Sequence, residues 1–272
     1  MTTSISVIIT TYNWPKALAA VLTGLLQQTD QQFSVLIADD GSVDELKTII
    51  HSFQPQFKHQ LKHIWQEDDG FRASMIRNKA AAQAETEYLI FIDADCVPNQ
   101  NFIARHRKLA EKGYFICGSR ILLTQDFTQK VLQEKITLAT WTGADWWRAK
   151  KKGYCNRMRP ALYLPLGILR KSNKRNWKAC RTCNFGVFRQ DFIAINGFNE
   201  AYHGWGMEDS DLAIRLIKSG IYYKSGRFSA SVAHLWHQQN DRSNVLTNRA
   251  RLEKLLASNV TWAEKGVGQY LT

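Results

Sequence analysis

The stretch YLIFIDADC, Tyr88 to Cys96, runs from a short apolar segment directly into two carboxylates, Asp93 and Asp95, set two positions apart. Tyr88 to Ile92 carry large branched and aromatic side chains without a charge, the pattern of a strand buried on both faces of a parallel sheet. Asp93 and Asp95 then fall at the carboxyl end of that strand. Open α/β sheets bind their ligands outside the carboxyl ends of the strands, so acids placed there read as part of a site.

Working outward, ISVIIT (5–10), FSVLIA (33–38) and the weaker LKHIWQ (61–66) repeat the strand pattern upstream. Pro15 is suited to opening a helix, and Ala17, Leu18, Val21, Leu22, Leu25 and Leu26 recur on one helical face. RASMIRNKAAAQA (72–84) reads as a second helix. Downstream, the pattern predicts a helix over about 100–111 and a strand over 114–121. Strand and helix alternating at this spacing predict an α/β fold, doubly wound around a mostly parallel central sheet. No Gly-rich dinucleotide fingerprint or Walker loop follows these strands, which argues against ordinary dinucleotide oxidoreductase or P-loop chemistry.

Further on, Leu212, Ala213, Leu216 and Ile217 form a helical stripe stopped by Gly220, and a last helix is expected over 248–257. Residues 141–178 differ in character, mixing aromatics and prolines with many lysines and arginines, and read as an irregular or partly helical insertion at the rim of a cleft. The chain thus divides into a first half (1–120), a second half (121–240) carrying that insertion, and a helical tail (241–272).

Lysine and arginine number 36 against 24 acids, a formal net charge of +12 that favours an anionic partner: nucleic acid, a membrane surface or a phosphate-bearing substrate. Lys150, Lys151, Lys152, Arg157 and Arg159, with Trp146, Trp147 and Tyr154 nearby, suit an anionic membrane interface, a phosphorylated lipid-linked acceptor or a solvated basic face with a few packed aromatics. No apolar run reaches the length of about 18 residues that a membrane span requires, and the amino terminus lacks a secretory pattern, so a cytoplasmic protein is expected. The five cysteines do not suggest a disulfide framework. Cys180 and Cys183 lack the second pair that a structural zinc needs and read as ordinary thiols.

Asp93 and Asp95 suit a hard divalent cation, although solvated loop acids have the same spacing. Asp39 and Asp40 in ADDGS lie at another strand end, as nucleotide contacts or as a turn before Gly41. Asp69, Arg72 and Arg77 occupy a third such position. In GWGMEDSDL, glycines allow a tight path around Trp205, and Glu208 and Asp209 open a helix, where acids are favourable in any case. A tryptophan beside two acids reads as a sugar platform with a general base at its edge. His234 and His237 in AHLWHQ are metal ligands or packed histidines; on a regular helix they would share a face, and an irregular segment would aim only one inward.

Taken in order, VIITTYN, ADDGS, DDGFRASMIRN, FIDADC, NFGVFR, GWGMEDSDL and HLWH resemble glycosyltransferase family 2, inverting enzymes of GT-A fold that use nucleotide sugars. The resemblance covers about 4–120 and resumes over 180–240, where it is similar to the galactosyltransferase-type region of bacterial polysaccharide and chondroitin synthases. It implies a UDP-sugar donor, with Thr11, Tyr12, Asn13, Asp39, Asp40, Asp69, Arg72, Asp93 and Ala94 around the nucleotide. Asp95 and His237 are implied as ligands of Mn²⁺ or Mg²⁺. Trp205, Gly206 and Glu208 then shape the sugar subsites, Asn184 belongs to the acceptor-side segment, and Asp209 is the implied catalytic base beside Glu208. This chain has TCNFG where many relatives place two glycines before the asparagine.

The implied reaction moves a hexose or N-acetylhexosamine, galactose-type first, to a glycan or lipid-linked glycan of lipopolysaccharide or capsule, with the enzyme peripheral on the inner membrane face. A sugar nucleotidyltransferase and a non-catalytic nucleic-acid or carbohydrate-binding protein are the alternatives. Nucleic acid is not the expected partner, because the basic residues gather in one insertion while acids occupy the strand ends.

Overall fold

A computed structural model describes residues 2–238 and 241–271. Its first part alternates as the sequence predicts: β1 (Ile5–Thr11), α1 (Pro15–Leu26), β2 (Ser34–Asp39), α2 (Asp44–Phe53), β3 (Leu61–Trp65), α3 (Ala73–Ala82) and β4 (Tyr88–Asp93). Pro15 sits in the first turn of α1, where its missing N–H is not needed, and Ala17, Leu18, Val21, Leu22 and Leu25 are buried. β1, β2, β3 and β4 pair in parallel, with Thr11 opposite Asp39, Asp39 opposite Trp65, and Thr10 opposite Asp93. That register gathers the polar strand ends into one row.

There follow β5 (Cys96–Pro98), α4 (Phe102–Leu109), β6 (Tyr114–Cys117), β7 (Ser119–Leu122), α5 (Gln125–Gln133), α6 (Gly143–Lys151), β8 (Asn184–Phe188), α7 (Arg189–Ala194), α8 (Glu208–Lys218), β9 (Tyr222–Ser225), β10 (Ser231–His234) and α9 (Val245–Leu256). The main sheet has the order β3-β2-β1-β4-β8-β6-β9, and β5-β10-β7 form a small second sheet. β8 runs antiparallel to both β4 and β6, and β6 pairs in parallel with β9, so the sheet is mixed and mostly parallel.

The apolar runs are continuous because both faces of the main sheet are covered. Val7, Ile9, Val35, Ile37, Ile90 and Ile92 pack with α1. Ile8, Leu36, Leu89 and Phe91 pack with Ile76, Ala80, Phe198 and Leu212 on the other side.

One expectation needs correction. The single strand over 114–121 is two strands in different sheets, broken at Gly118, where a Cβ would stand 2.2 Å from the Asn184 side chain. Two of the aromatics near the basic residues are packed, in line with the solvated-face reading: Trp146 is buried, and the half-buried Tyr154 stacks on Phe127 with ring centres 4.5 Å apart. Residues 141–178 are partly helical as expected, since α6 opens with a capping box between Thr142 and Asp145. The last helix begins at Val245 and packs Leu252 and Leu255 against Ile214 of α8. All five cysteines are buried and free. Among the described residues no helix is long and apolar enough to cross a membrane.

Candidate active site

Asp95 lies in the turn between β4 and β5. β5 pairs antiparallel with β10, setting His234 opposite Cys96, and the Leu235 N–H donates to the Asp95 carbonyl at 2.8 Å. This small sheet holds His234 Nε2 at 3.6 Å and His237 Nε2 at 3.2 Å from Asp95 Oδ2. One ligand atom from each of the three residues lies within 4.8 Å of the others, the size of a shared coordination sphere. His237 Nδ1–H donates to the Gln238 carbonyl at 2.7 Å, which leaves Nε2 as the free lone pair. Burial holds the His234 imidazole below the usual histidine range against the pull of Asp95, so it stays neutral as a ligand must. A carboxylate with two imidazoles suits Mn²⁺ better than Mg²⁺, which prefers oxygen throughout. His234 ends a strand, and both histidines reach Asp95, where an irregular segment was expected to aim only one inward.

The residues expected around a nucleotide lie mainly at the ends of β1 and β2 and in the turns that follow them. Asp40 is buried, with Gln66 Nε2 donating to one carboxylate oxygen at 2.5 Å and the Arg72 N–H to the other at 2.8 Å. Burial pushes its pKa up and these hydrogen bonds moderate the rise. Asp39 supports the wall from behind: it accepts the Ser42 N–H at 2.9 Å and lies 2.8 Å from His63 Nε2. Asn13, at φ +45°, joins the β1–α1 and β2–α2 turns through Ser42 Oγ and the Val43 N–H. The half-exposed Tyr12 donates its hydroxyl to Asp68 at 2.8 Å. Ala94 is buried and its N–H donates to the Thr10 carbonyl at 2.8 Å. Asp69 stands on the rim, 80% exposed, in an ion pair with Arg72 at 3.2 Å. Thr11 Oγ1, Gln66 Oε1, Arg72 Nε and Arg77 Nη1 are buried polar atoms with no hydrogen-bond partner among the described residues, and such atoms fit a polar ligand.

On the opposite side Gly204, Gly206 and Met207 all have positive φ, at +69°, +112° and +76°. A non-glycine residue there is strained, and the strain turns the chain sharply into α8. Glu208 and Asp209 occupy its first turn, where carboxylates face free amide groups. Glu208 accepts the Gly206 N–H at 3.1 Å, and the Thr182 hydroxyl donates to Asp209 at 2.5 Å. Trp205 is 38% exposed, with the Arg242 guanidinium 5.1 Å from its ring centre.

Arg77 joins the two sides. Buried on α3, it donates to Thr10 Oγ1 at 2.8 Å and to Asp93 at 2.9 Å, and lies 3.9 Å from Glu208. Asp209 lies within the same field. One guanidinium therefore links an acid at the end of β4, Asp93, two residues before Asp95, with one at the start of α8, Glu208, next to Asp209. Burial, with the charge of Asp209 adding and Arg77 opposing, pushes the Glu208 carboxyl up to about 7. Burial also raises Asp209, against Arg77 and the Thr182 hydrogen bond.

Sequence reading placed Arg77 near a strand end but not at the centre of the site. Its signal was an arginine among residues of a buried helical stripe, Ala73, Ile76, Ala80 and Ala81. Thr182 and Gln66 carried no signal, since they act across the fold. Asn184 is buried, with its amide bonded to the Ser119 and Ala230 carbonyls and its oxygen 3.1 Å from His106 Nε2. Its side chain therefore positions the segment that carries Thr182. Arg77→Met should cost about 3–5 kcal/mol of stability, because the acids keep their burial and lose their counter-charge. Denaturant unfolding measures this, with Arg77→Lys falling between wild type and Arg77→Met.

The profile of glycosyl transferase family 2 matches residues 6–193, well over half of the chain, and that of the galactosyltransferase N-terminal domain matches 167–238. The chain is 26% identical over 258 residues to validoxylamine A glucosyltransferase of Streptomyces hygroscopicus, covering 89% of this chain and 57% of that protein. It is 24% identical over 263 residues to Escherichia coli chondroitin synthase, covering 90% and 36%. The chain thus spans only about half, or less, of these relatives' lengths. The fold is similar to that of Staphylococcus aureus TarS 1–349 in complex with UDP (TM-score 0.61, 14% identity, 98% and 68% coverage). It is also similar to the Pyrobaculum calidifontis mannosyltransferase PcManGT in complex with GDP-Man and Mn²⁺ (TM-score 0.60, 15% identity, 95% and 65% coverage). With a family profile matching well over half of its length and a mixed, mostly parallel sheet, the chain belongs to glycosyltransferase family 2 and has a GT-A-like fold.

Proposed function

We propose that the protein transfers a hexose or N-acetylhexosamine from a UDP-sugar to a hydroxyl of a bacterial surface glycan, with inversion at the anomeric carbon. The observation that carries this reading is that Arg77 links Asp93, two residues before the Asp95 of the Asp95–His234–His237 group, to Glu208 beside Asp209. Asp40, with Thr11 and Arg72, is the proposed nucleotide contact, and the UDP held by TarS supports the choice of nucleotide. Asp95, His234 and His237 would hold Mn²⁺, or Mg²⁺, as the Mn²⁺ in PcManGT supports. When bound, such a cation neutralises charge on a leaving diphosphate.

Asp209 takes the proton of the acceptor hydroxyl as that oxygen attacks, its carboxylate oriented by the Thr182 hydroxyl. Glu208 keeps the strained 204–207 loop in place through the Gly206 N–H, and Trp205 offers its ring to a sugar face. The galactosyltransferase-type match favours a galactose-type donor, and the validoxylamine relative makes UDP-glucose the first competitor. A nucleotide-sugar donor places the reaction in the cytoplasm.

A panel of UDP-sugars, read by UDP release and followed by anomeric analysis of the product, tests the proposal. Absence of UDP release with every donor and acceptor, or a product of retained configuration, would reject it.

The base must be ionised to work, so activity should rise with pH along an acid limb lying above the ordinary carboxylate range, because burial raises Asp209. Glu208, pushed up to about 7, is itself largely protonated below that pH, so Glu208→Gln removes little charge beside Asp209 and the acid limb of kcat/KM should stay close to its wild-type position. A limb that moves with the substitution would make Glu208 the titrating group.

A further inference from the structure

Next to Thr182 and Asn184 the protein opens into a cavity of about 710 Å³. The basic insertion builds much of its wall with Lys150, Arg157, Arg159 and Lys178, and Arg120, Arg181 and Arg227 complete it. No aspartate or glutamate lines this space. Among the described residues none of these seven cations makes an ion pair with a carboxylate, whereas Arg77, Arg107, Arg215 and Lys224 elsewhere all do. Like charges facing one concave volume raise its potential and favour an anion within it.

The cavity is joined to the active site by two of its own residues. Arg181 precedes Thr182, whose hydroxyl holds Asp209. Arg120 pairs across β7 and β10 with Val232, two residues before His234, and its charge acts on Asp93 and His234. A saccharide presenting its hydroxyl to Asp209 would therefore extend its remaining residues into this space, where Met158 and Phe228 add apolar surface.

We propose that this cavity is an acceptor subsite for a phosphorylated saccharide, so that the natural acceptor is a glycan carrying phosphate close to the hydroxyl that is glycosylated. Arginine forks match the several oxygens and the high charge of a phosphate group better than a single carboxylate. A planar membrane surface cannot enter a concave space, whereas a branched saccharide can. The inference rests on the proposed transfer reaction for its placement next to Asp209, and on the cavity alone for its chemistry.

The test titrates the full chain, with UDP and Mg²⁺ in excess, with glucose 1,6-bisphosphate and with glucose, by calorimetry. UDP affinity is measured separately beforehand, and the saccharide titrations are read whether or not UDP binds, so that failure of the donor reading is distinct from failure of this one. The bisphosphate should bind at least tenfold more tightly than glucose. Arg157→Ala/Arg159→Ala and, from other parts of the wall, Lys178→Ala/Arg227→Ala should each weaken it at least fivefold with UDP affinity unchanged. Equal affinity for both sugars, or full bisphosphate affinity in both double variants, would overturn the proposal. So would double variants that lose sedimentation with phosphatidylglycerol vesicles yet keep the bisphosphate, since the cations would then serve a lipid surface.

Discussion

Asp209→Asn should retain UDP affinity within about twofold and lose transfer by about 10²–10⁴-fold, the range for removal of a positioned general base. The amide is nearly isosteric, and the Thr182 hydroxyl can still donate to its oxygen, so the start of α8 and the 204–207 loop keep their shape. What disappears is the ability to accept a proton from the acceptor hydroxyl. Folding should not suffer, because one negative charge leaves a buried group of acids that already pushes Glu208 up to about 7. Initial rates at saturating donor, with calorimetry on UDP, check this. A variant as fast as wild type would remove Asp209 from the chemistry, and one that fails to bind UDP would mark it as structural.

Asp95→Ala should abolish the enhancement of UDP binding by Mn²⁺, a loss exceeding the roughly 10–100-fold that disturbing an outer-shell partner costs. Asp95 is the only carboxylate in the three-residue group, and without it the two imidazoles offer the cation no negative charge. Metal-free UDP affinity should be nearly unchanged, because Asp40, Gln66 and Arg72 form a separate hydrogen-bonded wall. His234→Ala and His237→Ala should show smaller losses of the same kind. Calorimetry with and without Mn²⁺ reads all three, and an unchanged metal effect in Asp95→Ala would displace the cation from this site.

The parts legible in the sequence are those that depend on local pattern. The strands β1, β2 and β4 are uninterrupted apolar runs because the sheet is covered on both faces, and their acids follow directly from that burial. Glycines flanking Trp205 announced the left-handed turn into α8. The break at Gly118 was not legible, since its cause is the close approach of Asn184, a residue far along the chain. For the same reason the central place of Arg77 was not legible and Thr182 escaped notice: each gains its role from partners that only the folded sheet brings near. His234 and His237 were visible as a pair, but that both reach Asp95 depends on the register of β5 with β10. The basic insertion was visible as a run of charge, and only the fold separates Trp146 in the core and Tyr154 packed against it from Arg157 and Arg159 at a cavity wall.

The measurement that bears most directly on a single cation-assisted cleft is a crystal structure with Mn²⁺ and a UDP-sugar, the metal located by anomalous scattering. One manganese peak should lie among Asp95, His234 and His237, touching the diphosphate, with the Asp209 carboxylate facing the anomeric carbon on the side away from it. A manganese peak elsewhere, or a donor sugar bound out of reach of Asp209, would contradict the account.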